Sequence, residues 1–249
     1  AGRMTQCLST QVGCAMGCTF CSTGGLGFTR NMSMGEILGQ LQAARAWLGD
    51  DLPERPIIRN LVYMGMGEPL LNLPQVMRSL QTLHHPRGLN FSARRITVST
   101  CGIEHGLREL GESGLAYLAV SLHAPTQELR ARLMPKAARW PLDELVTALE
   151  SYPLKTRERI TLEYLVIGGV NDGPEQARQL VRLCSRLKAK LNLIPYNPTP
   201  GSAYRPPTPE SLLAFEKMLW DKHVTAIVRK SKGQDIEAAC GQLRAALRD

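Results

Sequence analysis

The feature that most constrains the fold is a regular alternation of short apolar segments with longer amphipathic segments. Six candidate strands, rich in Val, Ile, Leu and Tyr, begin at Ile57, Arg94, Leu115, Arg159, Ala189 and Val224. Amphipathic helices are predicted between them over residues 34–48, 73–83, 104–113, 141–152, 174–188 and 209–223. This order is typical of a parallel sheet whose strands are joined by crossover helices. The sequence therefore predicts an α/β protein with a full or partial TIM-like (β/α) barrel.

Polar residues and glycines follow several of these strands. They form the segments 65–68 (GMGE), 99–101 (STC), 121–123 (SLH) and 195–197 (PYN). Reacting groups of a barrel lie at the carboxyl ends of its strands, so we expect the functional site there. The proline-rich stretch 195–210 cannot continue a strand or a helix and is predicted to be a long loop near the barrel mouth.

Charge and cysteine content limit the binding partners and the cellular compartment that we expect for this chain. The formal net charge is +8, which favours polyanionic partners such as RNA, DNA or acidic membranes. No apolar run approaches the roughly 18 residues of a membrane helix, and no secretory signal opens the chain, so we expect a cytoplasmic protein that does not enter membranes. Seven cysteines, an odd number in a long chain, indicate reduced, chemically active thiols rather than a disulfide framework.

Three of the cysteines, Cys14, Cys18 and Cys21, form a C-x3-C-x2-C motif. They cannot complete a tetrahedral zinc site alone, and no fourth ligand follows at zinc-finger spacing. A [4Fe–4S] cluster usually takes four thiolates, so three would leave one iron open to a substrate or cofactor. The alternatives are a zinc knuckle or three unconnected core cysteines.

Three longer segments carry a family resemblance. They are residues 7–37 (CLSTQVGCAMGCTFCSTGGLGFTRNMSMGEI), 64–72 (MGMGEPLLN) and 227–243 (IVRKSKGQDIEAACGQL). Together they resemble the RlmN/Cfr family of radical-SAM RNA methyltransferases, in the same order and over essentially the whole chain. The resemblance implies a barrel of the radical-SAM type with a [4Fe–4S] cluster, whose open iron binds S-adenosylmethionine (SAM).

The resemblance also implies a reaction. Val12 before Gly13-Cys14 is similar to the members that methylate C2 of an adenosine in 23S rRNA and in the tRNA anticodon loop. Members with a cysteine in place of Val12 methylate C8 of the same rRNA base, and this C8 activity is the first alternative. The second alternative is a non-catalytic iron–sulfur or zinc RNA-binding protein with the same fold.

The family pattern assigns cofactor residues by position. By resemblance, Cys14, Cys18 and Cys21 ligate the cluster, and the predicted SAM contacts are Gly67, Glu68, Ser99, Ser121, Leu122, His123 and Asn197. Chemistry agrees for Gly67 and Glu68, because glycine allows close backbone approach and a carboxylate suits the ammonium group of SAM. Glu68 could instead cap a helix, and His123 could be a packed strand-end side chain.

Two further cysteines match the family's catalytic pair. Cys240 corresponds to the cysteine that one SAM methylates and whose methyl group a second SAM then activates. Cys7 corresponds to the thiol that releases the RNA from Cys240 by forming a disulfide with it. Considered alone, Cys240 could equally be a small buried apolar residue. Basic residues near it, Arg229, Lys230 and Lys232, could favour its thiolate. Cys101 and Cys184 are expected to be structural.

The resemblance finally sets expectations on domains and partners. Residues 1–249 would form a radical-SAM catalytic domain with a C-terminal extension carrying Cys240. The family's small N-terminal RNA-binding domain and its glutamate base would lie upstream of residue 1. Expected partners are 23S rRNA and tRNA, an electron donor such as flavodoxin or ferredoxin, and a cellular thiol reductant, with the protein acting as a monomer. Candidate phosphate contacts are Arg94, Arg95, Arg139, Lys188, Lys190, Arg205, Arg229, Lys230 and Lys232.

Overall fold

The computed structural model describes residues 4–50, 56–103, 105–198 and 201–229. Seven parallel strands form one sheet, and each pairs with the next in the order β1-β4-β5-β6-β7-β8-β9. Their bounds are β1 Met4–Cys7, β4 Ile58–Tyr63, β5 Ile96–Thr100, β6 Tyr117–Ser121, β7 Ile160–Val166, β8 Ala189–Pro195 and β9 Ala226–Val228. A two-stranded antiparallel hairpin, β2 Gln11–Gly13 and β3 Phe28–Asn31, is inserted after β1. The α/β prediction is confirmed, in its partial-barrel form.

Eight α-helices accompany the strands in the described ranges. They are α1 Ser22–Leu26, α2 Met34–Leu48, α3 Leu73–His84, α4 Leu107–Ser113, α5 Gln127–Leu133, α6 Leu142–Glu150, α7 Pro174–Cys184 and α8 Pro209–Trp220. The helix predicted to begin at position 104 begins at Leu107, because Gly106 precedes it with a φ of +93°. The short helices α1 and α5 and the β2–β3 hairpin were not predicted, since none is long enough to show a clear periodicity.

The main apolar core lies between the sheet and its helices. It takes Leu61 and Tyr63 from β4, Ile96 and Val98 from β5, and helix residues such as Leu80 and Leu145. Neighbouring strand residues point to opposite faces, so Ser99 and Ser121 lie on the other, inner face. The sheet thereby separates a structural core from an inner surface that carries polar groups.

A second apolar cluster lies on the inner face. It contains Met16, Phe20, Cys101, Ala124, Leu133, Met134, Ala137, Leu165, Ile167, Ile194 and Tyr196. We call it the inner cluster. Cys14, Cys18 and Cys21 pack against it, as does Tyr204 from the long loop after β8. The hydroxyls of Tyr204 and Thr19 are hydrogen-bonded at 2.9 Å, so this loop lies against the cysteine loop. None of the described helices combines the length and apolar character needed to cross a membrane.

Candidate active site

The loop between β2 and α1 carries the three cysteines of the motif and is tied together by its own backbone. The amide of Cys14 donates to the carbonyl oxygen of Gly27 at 2.8 Å, and that of Cys21 donates to the carbonyl oxygen of Cys18 at 3.2 Å. Gly13 permits this close approach, because its φ is +77° and a Cβ there would lie 2.1 Å from the Gly27 oxygen. The three thiols are therefore confined to one short folded loop.

Helix α5 and the turn after it hold the loop from one side. The amide of Thr19 donates to the carbonyl oxygen of Leu133 at 3.0 Å, and Nζ of Lys136 donates to a backbone carbonyl of the loop at 2.5 Å. The ring of Phe20 meets that of His123 edge-on, with 5.0 Å between ring centroids. The loop is thus bound both to α5 and to the end of β6.

The ionisation of the three thiols is set by their surroundings. Burial raises the pKa of Cys14 to about 11, and it also raises the pKa of Cys21. A hydrogen bond with the Cys101 thiol lowers the pKa of Cys18. Thiolates are the form that binds iron, and a metal compensates the charge that an apolar environment disfavours. Cys18 is therefore the thiol of the three most readily ionised.

Among the described residues, no three His, Cys, Asp or Glu side chains are assembled in a finished metal-binding geometry. The donor set nevertheless fits a [4Fe–4S] cluster, because three free thiols lie on one loop against an apolar cluster that limits access of water. The ligand roles of Cys14, Cys18 and Cys21 stay a prediction.

Glu68 follows β4 and is buried, with both carboxylate oxygens engaged. Its Oε1 accepts from the amide of Leu70 at 3.0 Å, and its Oε2 accepts from the amide and the thiol of Cys101 at 2.8 and 3.0 Å. Glu68 thus caps the 3₁₀ helix Pro69–Asn72, the alternative role considered from the sequence. Burial raises the pKa of Glu68 above its usual value. These contacts fix a carboxylate at the strand end, where the resemblance places the ammonium group of SAM.

Gly67 brings the backbone before Glu68 close to the hairpin. Its φ is +101°, and a Cβ at this position would lie 2.5 Å from Cβ of Gln11. Oε1 of Gln11 accepts from the amide of Glu68 at 3.0 Å, and its Nε2 donates to Asn31 at 2.8 Å. Sequence reasoning missed Gln11, whose role depends on a contact between segments distant in the chain.

The remaining predicted SAM contacts do not all face the same way. Ser99 and Ser121 lie on the inner face near the ends of β5 and β6, and Asn197 is buried just after β8. Leu122 instead packs its side chain into the main core, and its amide and carbonyl bond to Glu163 and Ala124. A contact of its side chain with SAM is therefore not supported, while the roles of the other three stay predictions.

His123 is buried at the end of β6 in a left-handed conformation, with a φ of +53°. Its Nδ1 accepts a 3.0 Å hydrogen bond from the amide of Leu165, and Asn171 donates to its carbonyl oxygen. Burial, with the nearby charge of Arg130, lowers the pKa of His123 to about 3. The ring is therefore neutral, with its proton on Nε2. This packing agrees with the alternative considered from the sequence, a packed strand-end histidine, and the role of His123 in binding SAM stays a prediction.

Cys7 ends the edge strand β1 and is exposed. Thr5, two residues earlier, accepts from Asn60, which lies on the inner face of β4, so alternation places Cys7 on that face as well. Arg229, directly after β9, reaches Met64 beyond β4, with 4.0 Å between Nη1 and Sδ. The residue that follows the edge strand β9 thus contacts the segment after β4, the strand that pairs with β1.

The sequence reasoning missed two buried charged residues of the inner face. Glu163, in β7, accepts from Asn192 through Oε1, while its Oε2 has no hydrogen-bond partner among the described residues. Arg130, in α5, is completely buried. A carboxylate inside the apolar run ITLEYLVI was a usable signal for Glu163. Nothing comparable marked Arg130, because α5 itself was not predicted.

Cys101 is buried, as a structural cysteine would be, yet it touches both Cys18 and Glu68. Cys184 ends α7 and packs against the main core. Cys240, Lys230 and Lys232 lie outside the described residues. The assignment of Cys240 and the predicted C-terminal extension therefore stay predictions.

Comparison with known proteins decides the family. The model of the radical SAM superfamily matches residues 8–181. The chain is 74% identical over 98% of its length to the dual-specificity RNA methyltransferase RlmN of Nitratidesulfovibrio vulgaris strain DP4 and covers 67% of that protein. It is 71% identical to the RlmN of Oleidesulfovibrio alaskensis, again over 98% of its length, and covers 69% of that relative. The chain belongs to the RlmN family of the radical SAM superfamily.

A solved structure agrees with this membership. A radical SAM methyltransferase from Sphaerobacter thermophilus superimposes with a TM-score of 0.91 at 46% identity, covering 97% of this chain and 70% of that one. The cofactors of an RlmN-family protein are a [4Fe–4S] cluster and SAM, so the predicted family, fold and cofactors are confirmed. The chain spans about two thirds of the length of its RlmN relatives.

Proposed function

We propose that this chain methylates C2 of adenosine in 23S rRNA and tRNA by way of a methylated cysteine. The observation that carries the proposal is that Cys7 ends β1 in register with Val62 of β4, the strand that leads to Glu68, and that strand alternation places Cys7 on the inner face. The high identity to dual-specificity RNA methyltransferases supports RNA as the substrate. The net charge of +8 supports binding to the phosphate backbone.

The chain's own residues bind and orient the reactants. Cys14, Cys18 and Cys21 hold the cluster, while Glu68 and the strand-end serines hold SAM. When bound, these cofactors supply a radical that removes a hydrogen atom from a methyl group. This chemistry suits C2 of adenine, an electron-poor carbon without an acidic proton.

Cys240 carries that methyl group as S-methylcysteine, which loses one hydrogen atom to the radical and joins C2 of the adenine through its methylene carbon. The adduct then loses one electron, which the cluster would take back, and the C2 proton, which the upstream glutamate base would accept. Cys7 attacks the sulfur of Cys240, the bond between that sulfur and the methylene carbon breaks, and the carbon takes up a proton, so the RNA leaves methylated and a disulfide remains. Cys240 follows Arg229 by only eleven positions, a span of at most about 40 Å, and Arg229 reaches Met64 beyond β4. The chain length therefore allows the two sulfurs to meet.

The surroundings of the reaction follow from its chemistry. Each cycle consumes electrons from a low-potential donor, for which flavodoxin or ferredoxin is suited, and needs a thiol reductant for the disulfide. We place the protein in the cytoplasm, where such reductants keep thiols reduced. Monomeric action and an upstream RNA-binding domain with its glutamate base remain part of the proposal.

Nucleoside mass spectrometry tests the proposal. The protein at its full natural length is incubated anaerobically with iron, sulfide, SAM, reductant and RNA fragments. We expect 2-methyladenosine; 8-methyladenosine would assign the C8 reaction, and one zinc per chain without methylation would assign a non-catalytic protein. Cys7→Ala should accumulate a protein–RNA adduct, whereas Cys240→Ala should form neither adduct nor product. Wild-type product from both variants would reject the cysteine roles.

A further inference from the structure

Arg130 is the largest completely buried side chain of the described chain. It projects from α5 towards the inner cluster. Its Nη1 donates to the carbonyl oxygens of Ala137 and Trp140 at 2.9 and 2.8 Å, and its Nη2 donates to that of Cys101 at 2.8 Å. Nε is buried without a hydrogen-bond partner among the described residues. Every observed partner of this guanidinium is thus a neutral carbonyl.

A buried charge of this kind needs an explanation. Within the described residues Arg130 forms no ion pair with a carboxylate, whereas buried Asp50 lies beside Arg45 at 3.6 Å. Removing a guanidinium from water costs several kcal/mol, and neutral carbonyls offset only part of that cost. An anion should therefore be present nearby when the protein works.

The groups that face Arg130 identify that anion. The thiols of Cys18 and Cys101 and the ring of His123 are close enough to interact with its charge. Glu68 lies on the other side of Cys101. The carbonyl oxygen of Cys101 accepts a hydrogen bond from Arg130, and the amide of Cys101 donates one to Glu68. Of these groups, only Cys18 belongs to the loop predicted to hold the cluster.

We propose that Arg130 is a positioning residue whose fixed, buried positive charge favours one-electron reduction of the cluster held by Cys14, Cys18 and Cys21. This inference rests on the proposed function, which places a cluster there. The cluster takes one electron from a low-potential flavin or iron–sulfur donor and becomes one unit more negative. A guanidinium fixed in an apolar environment stabilises that added charge, because little water is present to screen it.

The fold makes this charge insensitive to side-chain motion. Three hydrogen bonds hold the guanidinium, and α5 also supports the cysteine loop through the bond between Thr19 and Leu133. One helix therefore carries the charge and also contacts the loop that would hold the cluster. A purely structural arginine would use the same carbonyl bonds but would not alter the electron affinity of the cluster.

The test measures that electron affinity directly. Arg130→Gln and Arg130→Met remove the charge, Arg130→Lys keeps it, and Arg132→Gln changes an exposed arginine of the same helix. Each reconstituted protein is first checked for iron content and thermal unfolding. The midpoint potential of the cluster is then determined by spectroscopic titration with low-potential mediators.

We expect the neutral variants to have a midpoint potential lower than that of the wild type by about 59 mV. For a one-electron couple this is a tenfold shift of the equilibrium away from the reduced cluster. Arg130→Lys should shift by less than half of this, and Arg132→Gln should match the wild type. Neutral variants that hold four irons and keep the wild-type potential would overturn the inference. Loss of the fold in both neutral variants would assign Arg130 a structural role and also overturn it. A wild-type protein that binds no cluster would instead reject the proposed function.

Discussion

The thiol of Cys101 donates a 3.0 Å hydrogen bond to Oε2 of Glu68, and the same thiol lies within hydrogen-bonding reach of Cys18. One buried cysteine therefore joins the strand-end carboxylate to the cysteine loop. The pKa of Cys101 is raised by both neighbours, with the bond to Cys18 as the largest cause, so its proton stays in place. Cys101 thus couples the predicted SAM site to the predicted cluster site.

This contact predicts that Cys101→Ala weakens SAM binding by the iron-loaded protein. The variant removes one of the donors that hold Oε2 of Glu68, so the carboxylate is held less firmly. The loss of one hydrogen bond, about 1 kcal/mol, corresponds to a roughly fivefold higher dissociation constant in calorimetry. Cys101→Ser, which keeps a donor, should lose less, and Cys184→Ala should bind as the wild type does. Unchanged affinity in Cys101→Ala would contradict the coupling.

Gly67→Ala should prevent proper assembly of the site. The new methyl group would meet Gln11, and alanine would have to adopt a φ of +101°. We expect a loss of at least about 2 kcal/mol in the free energy of unfolding, measured by denaturant titration. Gly39→Ala is the matched control, because a Cβ there would meet nothing within 4 Å and the residue lies inside α2. The free energy of unfolding of that control should increase by about 0.5–1 kcal/mol. Equal effects of the two substitutions would refute the steric argument.

The buried ring of His123 predicts a stability that depends on pH on the acidic side. Its pKa is lowered to about 3 in the folded protein, against 6.5 for an unperturbed histidine. A depressed pKa means that the unfolded chain binds the proton more readily, so this contribution to stability is present above pH 6.5 and is lost as pH falls towards 3. His123→Asn should flatten that slope in thermal unfolding. The exposed His223→Asn serves as control. A ring that NMR shows to titrate near pH 6.5 would exclude this account.

Glu163 predicts the opposite slope. Burial is the largest cause that raises its pKa, despite the nearby charges of Arg229 and Lys190. The folded state therefore favours the protonated acid, and its contribution to stability is lost as pH rises from 4.5, the pKa of an unperturbed glutamate, through the raised pKa. Glu163→Gln mimics the protonated form, so the melting temperature of the variant should rise relative to that of the wild type as pH increases across that interval. The exposed Glu109→Gln should show no such gain. If the melting temperature of the wild type instead rises relative to that of Glu163→Gln, the carboxylate is stabilised as an anion.

Much of the fold could be predicted from the sequence because its signals are local. The strand from Ile58 to Tyr63 and the helix from Met34 to Leu48 agree closely with the predicted segments. Glycines and polar residues at strand ends likewise marked Gly67, Glu68 and Ser99, since parallel strands bring their carboxyl ends to one edge of the sheet. The short helix α5 was not predicted, because seven residues carry too little periodic signal.

The sequence by itself determined the order of strands and helices, the cysteine motif and the family, all of which depend on residue types at fixed spacings. Only the tertiary structure decided that Cys101 bridges Cys18 and Glu68, that Leu122 turns away from the inner face, and that Arg130 is buried beside the cysteine loop. The physical reason is that hydrogen bonds and burial join residues dozens of positions apart. Their partners exist only once the chain has packed.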